Sequence, residues 1–270
     1  MSCIGFYHEL MIINHGVRGS LPTPSPKTRI YGGNTVCVEV RTPKYQLIFD
    51  CGSGFSKVNL KNDLQTILFI SHFHHDHIQG LAFNDYSSVA DKKIIITSAH
   101  SDKETTYNNL FNYYKLPYFP VSFLDIINKF EFYEFDQVVD NFKDLNINSI
   151  DLNHPGNSKG YSIISDQKKF CYLLDNEFQN NQKSKVIKFC NYSDTVIWDG
   201  MYLDSELKDK KGWGHSSVEQ GVYIANNIEV KNFLISHHSP LREDTDIETL
   251  KKNISINKVK FASENEVIEF

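Results

Sequence analysis

Short, nearly continuous apolar runs recur along the chain: Val36 to Val40, Tyr45 to Asp50, Thr66 to Ile70, Ile94 to Thr97, Tyr161 to Ser165, Phe170 to Leu174, Thr195 to Trp198 and Lys231 to Ser236. Runs of this length between turn residues predict strands, several of them buried on both faces. Phe6 to Asn14 predicts one more at the start, and the turn Thr42-Pro43-Lys44 predicts that its two flanking strands form a hairpin. Helical spacing replaces this pattern in two places. Ser101 and Glu104 form a capping-box pattern ahead of Tyr107, Leu110, Phe111 and Tyr114, whose spacing predicts a helix with these side chains in the core. Ser216 to Asn227 predicts a second helix, with Ser216 or Ser217 as cap and Glu219 and Gln220 placed to reach back. Both halves mix strands with helices, so the expected class is α/β, and no linker composition or short repeat divides residues 1–270. Residues 112–136 are unusually aromatic, which suits a lid or a dimer face as well as a core.

Composition narrows the partners. A chain of 270 residues, 40% hydrophobic, can bury a full core. Its net charge of −5, with both signs interspersed, does not suit wrapping a long polyanion, whereas a small anionic substrate is compatible. The five cysteines include no CxxC pair, which weighs against a disulfide framework or a zinc ribbon. No run approaches the ~20 apolar residues that span a bilayer, and the start lacks a charged leader with a long apolar core. A cytoplasmic protein without a membrane partner is the expectation.

The chemistry concentrates in Ser71 to His77, SHFHHDH, directly after the strand Thr66 to Ile70. His72, His74, Asp76 and His77 fit HxHxDH, three imidazoles and a carboxylate of the kind that binds zinc or another borderline divalent ion. Ligands in open α/β sheets commonly sit on loops leaving strand ends. The loop resembles that of the metallo-β-lactamase superfamily. The opening segments GVRGSLPTP, YGGNT, VCVEV and LIFDCGSG look like those of its phosphodiesterase branch, which holds ribonuclease Z and cyclic-nucleotide phosphodiesterases, including phage enzymes of the anti-Pycsar type. This resemblance implies an αβ/βα sandwich of two mixed sheets with helices on the outer faces.

It also implies a dinuclear site. His72, His74 and His154 would hold one metal, Asp76, His77 and His237 the other, and Asp175 would bridge them. His237 matches the motif more closely than His238. Zinc is favoured because His74 stands where the redox flavodiiron branch carries a glutamate, and manganese also suits such mixed sites. Asp76 would either orient the attacking water or serve purely as a ligand. His215, in GWGHSS, resembles the histidine of the HST motif in the ribonuclease Z branch, with Asp199 standing for its acidic partner, which is a glutamate there. Together they suit proton donation to a leaving group. His238 and Asn34 are expected substrate contacts, Arg18 either approaches the site or anchors the proline-rich loop, and Gly16, Gly19 and Gly32 are expected to shape turns.

The function the resemblance implies is a dinuclear-metal phosphodiesterase that hydrolyses cyclic nucleotides to nucleoside monophosphates. The chain lacks the lysine- or glycine-rich arm by which ribonuclease Z grips transfer RNA. An RNA 3′-processing endonuclease is the alternative, and a metal-dependent sensor without turnover is a reading of another class. Members of this branch commonly pair as dimers.

Overall fold

The computed structural model describes residues 10–86, 92–120, 123–254 and 256–269. Seven strands form a first sheet: β1 (Met11–Gly16), β2 (Cys37–Arg41), β3 (Tyr45–Phe49), β4 (Gln65–Phe69), β5 (Ile94–Thr97), β6 (Phe130–Phe132) and β13 (Val267–Glu269), in the order β13-β1-β2-β3-β4-β5-β6. Six form a second: β7 (Asn148–Leu152), β8 (Ser158–Ser165), β9 (Lys168–Leu173), β10 (Ser193–Asp199), β11 (Val230–Ser236) and β12 (Val259–Phe261), in the order β12-β11-β10-β9-β8-β7. Both are mixed. β3 pairs antiparallel with β2 and parallel with β4, and β9 pairs antiparallel with β8 and parallel with β10. The expected αβ/βα sandwich is the architecture found. The start of the expected first strand, residues 6–9, lies outside the described residues.

Period-two alternation inside apolar runs explains the layers. Leu47, Phe49, Ile67 and Phe69 face Tyr161, Phe170, Tyr172 and Ile197 across the middle of the sandwich. Their neighbours Ile48, Leu68 and Ile70 point outward against Leu110, Tyr114 and Phe123. On the second sheet Val196, Trp198 and Phe233 point outward against Val186, Ile224 and Ile247. These outer partners come largely from helices: α1 (Lys103–Tyr113) on the first sheet, and α2 (Lys183–Cys190), α3 (Val218–Asn226) and α4 (Asp244–Asn253) on the second. The cap of α1 corrects one expectation. Asp102, not Ser101, accepts from Thr105 N at 2.7 Å, while Ser101 Oγ turns to Thr106 Oγ1. For α3, Ser217 caps and Gln220 reaches back, as the pattern predicts.

Register brings the strand ends to one edge. Phe49 pairs with Phe69, so Asp50 and the loop from Ser71 leave the first sheet side by side. In the second sheet Leu173, Trp198 and Ile235 are in register across β9, β10 and β11. Asp175, Asp199 and His237 therefore emerge together, one or two residues beyond.

Candidate metal centre

Seven side chains converge at that edge in two groups. One ligand atom each from His72, His74 and His154 lie within 4.8 Å of one another, as do atoms from Asp76, His77, Asp175 and His237. Asp175 joins the groups through its separate oxygens. Oδ2 lies 3.8 Å from His72 Nε2 and 3.7 Å from His154 Nε2, while Oδ1 lies 3.2 Å from His77 Nε2 and 3.1 Å from His237 Nε2. A carboxylate placed this way can bridge two cations.

The donor atoms fit that task. His72 Nε2, His77 Nε2 and Asp175 Oδ1 are buried and have no hydrogen-bond partner, a costly arrangement unless a cation supplies one. The opposite ring nitrogens are occupied. His77 Nδ1 donates to Asp50 Oδ2 at 2.7 Å, and His154 Nδ1 donates to the Gly214 carbonyl at 2.7 Å. Ser71 Oγ donates to Asp50, so it accepts from His72 Nδ1 at 3.0 Å. Each bond fixes a tautomer that leaves Nε2 as the free lone pair, the usual arrangement around ligating histidines. His154 Nε2 and His74 Nδ1 face each other at 2.9 Å. Of the first group, His74 alone is exposed, so that side opens to solvent.

Charges reinforce the geometry. Burial keeps the pKa of His72 well below the ordinary imidazole value, and His74 and His154 are lowered for the same reason, so all three are neutral donors. Burial opposes the charge on Asp175, yet His237, His77 and His215 together hold its carboxyl well below the usual range. His77 shows the reverse: burial lowers it, but Asp175, Asp76 and Asp50 outweigh that and raise it.

His215 and Asp199 stand against the second group. His215 Nδ1 donates to Asp199 Oδ2 at 3.0 Å and lies 3.7 Å from Asp175 Oδ2. Burial disfavours the charged imidazole, but Asp199 and then Asp175 outweigh it and raise its pKa to about 9. Asp199 is itself fixed by Asn176 N at 3.1 Å and Met201 N at 3.2 Å. Asp76 Oδ2 accepts from Ser20 N at 2.7 Å and lies 3.2 Å from His237 Nε2.

The two expected substrate contacts, His238 and Asn34, are both held by bonds within the protein. The His238 ring is buried, with Nε2 donating to the Ala262 carbonyl at 2.9 Å and the rings of Tyr31 and Phe261 beside it. Both ends of the Asn34 amide are engaged, Nδ2 with Glu264 at 3.0 Å and Oδ1 with Ser53 Oγ at 3.0 Å. Arg18 takes the anchoring role: fully buried, it donates to the carbonyls of Gly32 at 2.7 Å and Arg242 at 2.6 Å.

Sequence reading missed Asp50 and Ser20. Asp50 accepts from Ser71 N, Ser71 Oγ, His77 Nδ1 and Tyr172 Oη, each at 2.7 Å, and so sets the shape of the metal loop. The signal was present: LIFD ends a buried strand with an aspartate just as CYLLD does at Asp175.

The model of the Beta-lactamase superfamily domain matches residues 46–238. Ribonuclease Z of Thermoplasma acidophilum is 25% identical, the alignment covering 88% of this chain and 89% of that protein. Among solved structures, the metallo-beta-lactamase fold protein YhfI from Bacillus subtilis superposes with a TM-score of 0.73 at 18% identity, covering 97% of this chain and 99% of that one. A diphosphatase of the PhnP family gives a TM-score of 0.68 at 17% identity, covering 97% and 98%. Among the described residues no helix is long and apolar enough to cross a membrane.

Proposed function

This chain belongs to the beta-lactamase superfamily, and from that premise we propose that it is a dinuclear-metal phosphodiesterase that opens cyclic nucleotides to nucleoside monophosphates. The observation that carries the reading is the His215–Asp199 pair beside the split carboxylate of Asp175. An alkoxide leaving from phosphorus needs a proton, and a histidine held by a carboxylate is suited to deliver it.

His72, His74 and His154 would hold one divalent ion, Asp76, His77 and His237 a second, with Asp175 shared. Such ions supply a nucleophilic water at neutral pH and neutralise charge on the phosphate. Zinc suits the nitrogen-rich donor set, and manganese is compatible. Asp76, its carboxylate pinned by Ser20 N, orients the attacking water. His215 commits Nδ1 to Asp199, which leaves Nε2 to protonate the departing oxygen. Asp199 raises the pKa of that imidazole against the opposing effect of burial. The exposed side chains Leu116, Tyr118 and Leu124 of the aromatic segment supply a face for pairing two copies, which sedimentation velocity tests.

Incubating the metal-loaded protein with cyclic AMP, GMP, CMP and UMP tests the substrate. Ring opening of at least one is expected, and none opened while a precursor transfer RNA is cut would refute it. That second outcome is the RNA 3′-processing reading, favoured by the likeness to ribonuclease Z along 88% of this chain.

A further inference from the structure

Beside the metal centre lies a cleft of about 560 Å³ that none of the residues above explains. Its walls include Leu21, Tyr202, Lys210, Trp213, Leu241 and Arg242. Two contacts tie it to the chemistry. Ser20, also in its wall, is the residue whose N–H holds Asp76, and the Tyr202 ring meets His215 edge-on at 5.8 Å.

Trp213 is the unusual element. A tryptophan ordinarily buries most of its surface, yet 57% of this one is exposed, and Leu241 nearby is 91% exposed. Its backbone, by contrast, is strapped down. The carboxylate of Glu177 accepts from the N–H groups of both flanking glycines, Gly212 at 2.8 Å and Gly214 at 3.0 Å. The Gly214 carbonyl is the acceptor that orients His154. A side chain at Gly214 would collide with the His154 ring, and its φ of 87° independently favours glycine. The indole is thus held at the mouth on the same turn that positions a candidate ligand. Lys210 Nζ sits 3.9 Å from the ring centroid, a cation on an aromatic face beside a site built for an anion.

We propose that Trp213 is the platform on which the nucleobase of the substrate stacks, with Tyr202 and Leu241 closing the cleft around it. The inference rests on the phosphodiesterase reading and extends it to specificity. In a cyclic nucleotide the leaving oxygen belongs to the same nucleoside as the base, so protonation by His215 places that nucleoside on the Tyr202 side, where the cleft begins. An aromatic platform accepts every base, since each has a π-face, so discrimination among bases is weak.

The chain has two tryptophans, and Trp198 is fully buried, so fluorescence reports Trp213 against a W213F reference. Cyclic AMP, GMP, CMP or UMP should quench the Trp213 component, whereas ribose 3′,5′-cyclic phosphate, which has no base, should not. W213A should raise KM for the cyclic nucleotides roughly tenfold, within the range for a base stacked on an aromatic ring, and leave KM for the abasic compound unchanged. W213F should keep most of the affinity. No quenching by any nucleotide, or equal effects of W213A on the base-bearing and abasic compounds, overturns the platform. Quenching without hydrolysis of any phosphodiester supports it and refutes the phosphodiesterase reading instead.

Discussion

The first sheet contributes four candidate ligands from a single loop, His72, His74, Asp76 and His77, while the second contributes His154, Asp175 and His237 from three separate strand ends. The loop's ligands are contiguous and its geometry is partly local, set by the short helix at His75–Ile78, while the bonds that Asp50 accepts from Ser71 and His77 complete it from the neighbouring strand. On the second sheet nothing local brings Asp175, Asp199 and His237 together. They meet because β9, β10 and β11 are parallel and in register, and because apolar side chains hold that register on both faces. One half of the site is therefore encoded by a motif and the other half by the fold. The carboxylate that joins them belongs to the half that depends on the fold.

Removing that joint gives the largest effect. Asp175→Ala should strip both metals, taking content measured by elemental analysis from two per chain to below one, and abolish turnover. If the loop with His154 retained a full equivalent of metal, the two halves would be less interdependent than the split carboxylate implies. Next comes His215→Ala. It should lower kcat on a nucleotide substrate by about 10²–10⁴-fold, the usual range for a lost general acid, while metal content stays at two. On a phosphodiester with a p-nitrophenolate leaving group, which needs no proton, the loss should shrink sharply. An equal loss on both substrates would assign His215 to metal binding or folding.

A smaller effect is expected from Asp50→Asn, which touches no candidate cation but removes the charge that orients His77. Outer partners of ligating histidines typically change metal affinity by about 10–100-fold, and chelator competition measures this. The change should fall chiefly on the ion held by His77. Unaltered affinity would mean that the loop shapes itself without the first sheet's help.

The motif half was readable because its residues are contiguous and its spacing is the chemistry. His154, Asp175 and His237 were readable only through resemblance together with their positions at strand ends. Asp50 escaped because its value depends on lying beside a histidine 27 residues away, a consequence of parallel pairing between β3 and β4. The motif match favours His237 over His238, and the physical difference between the two lies in the backbone. His237 adopts a φ of 56° and packs so closely on Gly19 that a side chain there would strike its ring, whereas the next residue faces the interior. Asn34 is an expected contact only because its motif lies near the site in the branch this chain resembles. Its partner Glu264 is 230 residues further on, and no local pattern announces that pairing.

The smallest effect belongs to Asp199→Asn, and it is one of pH more than of rate. Asn is nearly isosteric, but its single oxygen can accept from only one of Asn176 N, which bonds Asp199 Oδ2, and Met201 N, which bonds Oδ1. It removes the charge that does most to raise His215 against the opposing effect of burial. The raised pKa lets His215 act as an acid through neutral pH, so activity falls as pH rises through the folded value. In the metal-free protein that value is about 9. Cations held by Asp175 would screen its share, which would place the basic limb of the loaded enzyme lower. Asp199→Asn should move the limb of kcat/KM to still lower pH. Wild type and variant should differ by roughly tenfold or less at the acidic end, where both imidazoles are protonated, and by more toward pH 8. The stability of the metal-free protein should follow the same sign. The pair's contribution is fully present below the ordinary imidazole value of 6.5 and is lost as pH rises through about 9. Thermal unfolding of wild type should thus lose more between those limits than that of the variant, and parallel curves would show that Asp199 does not set the charge of His215.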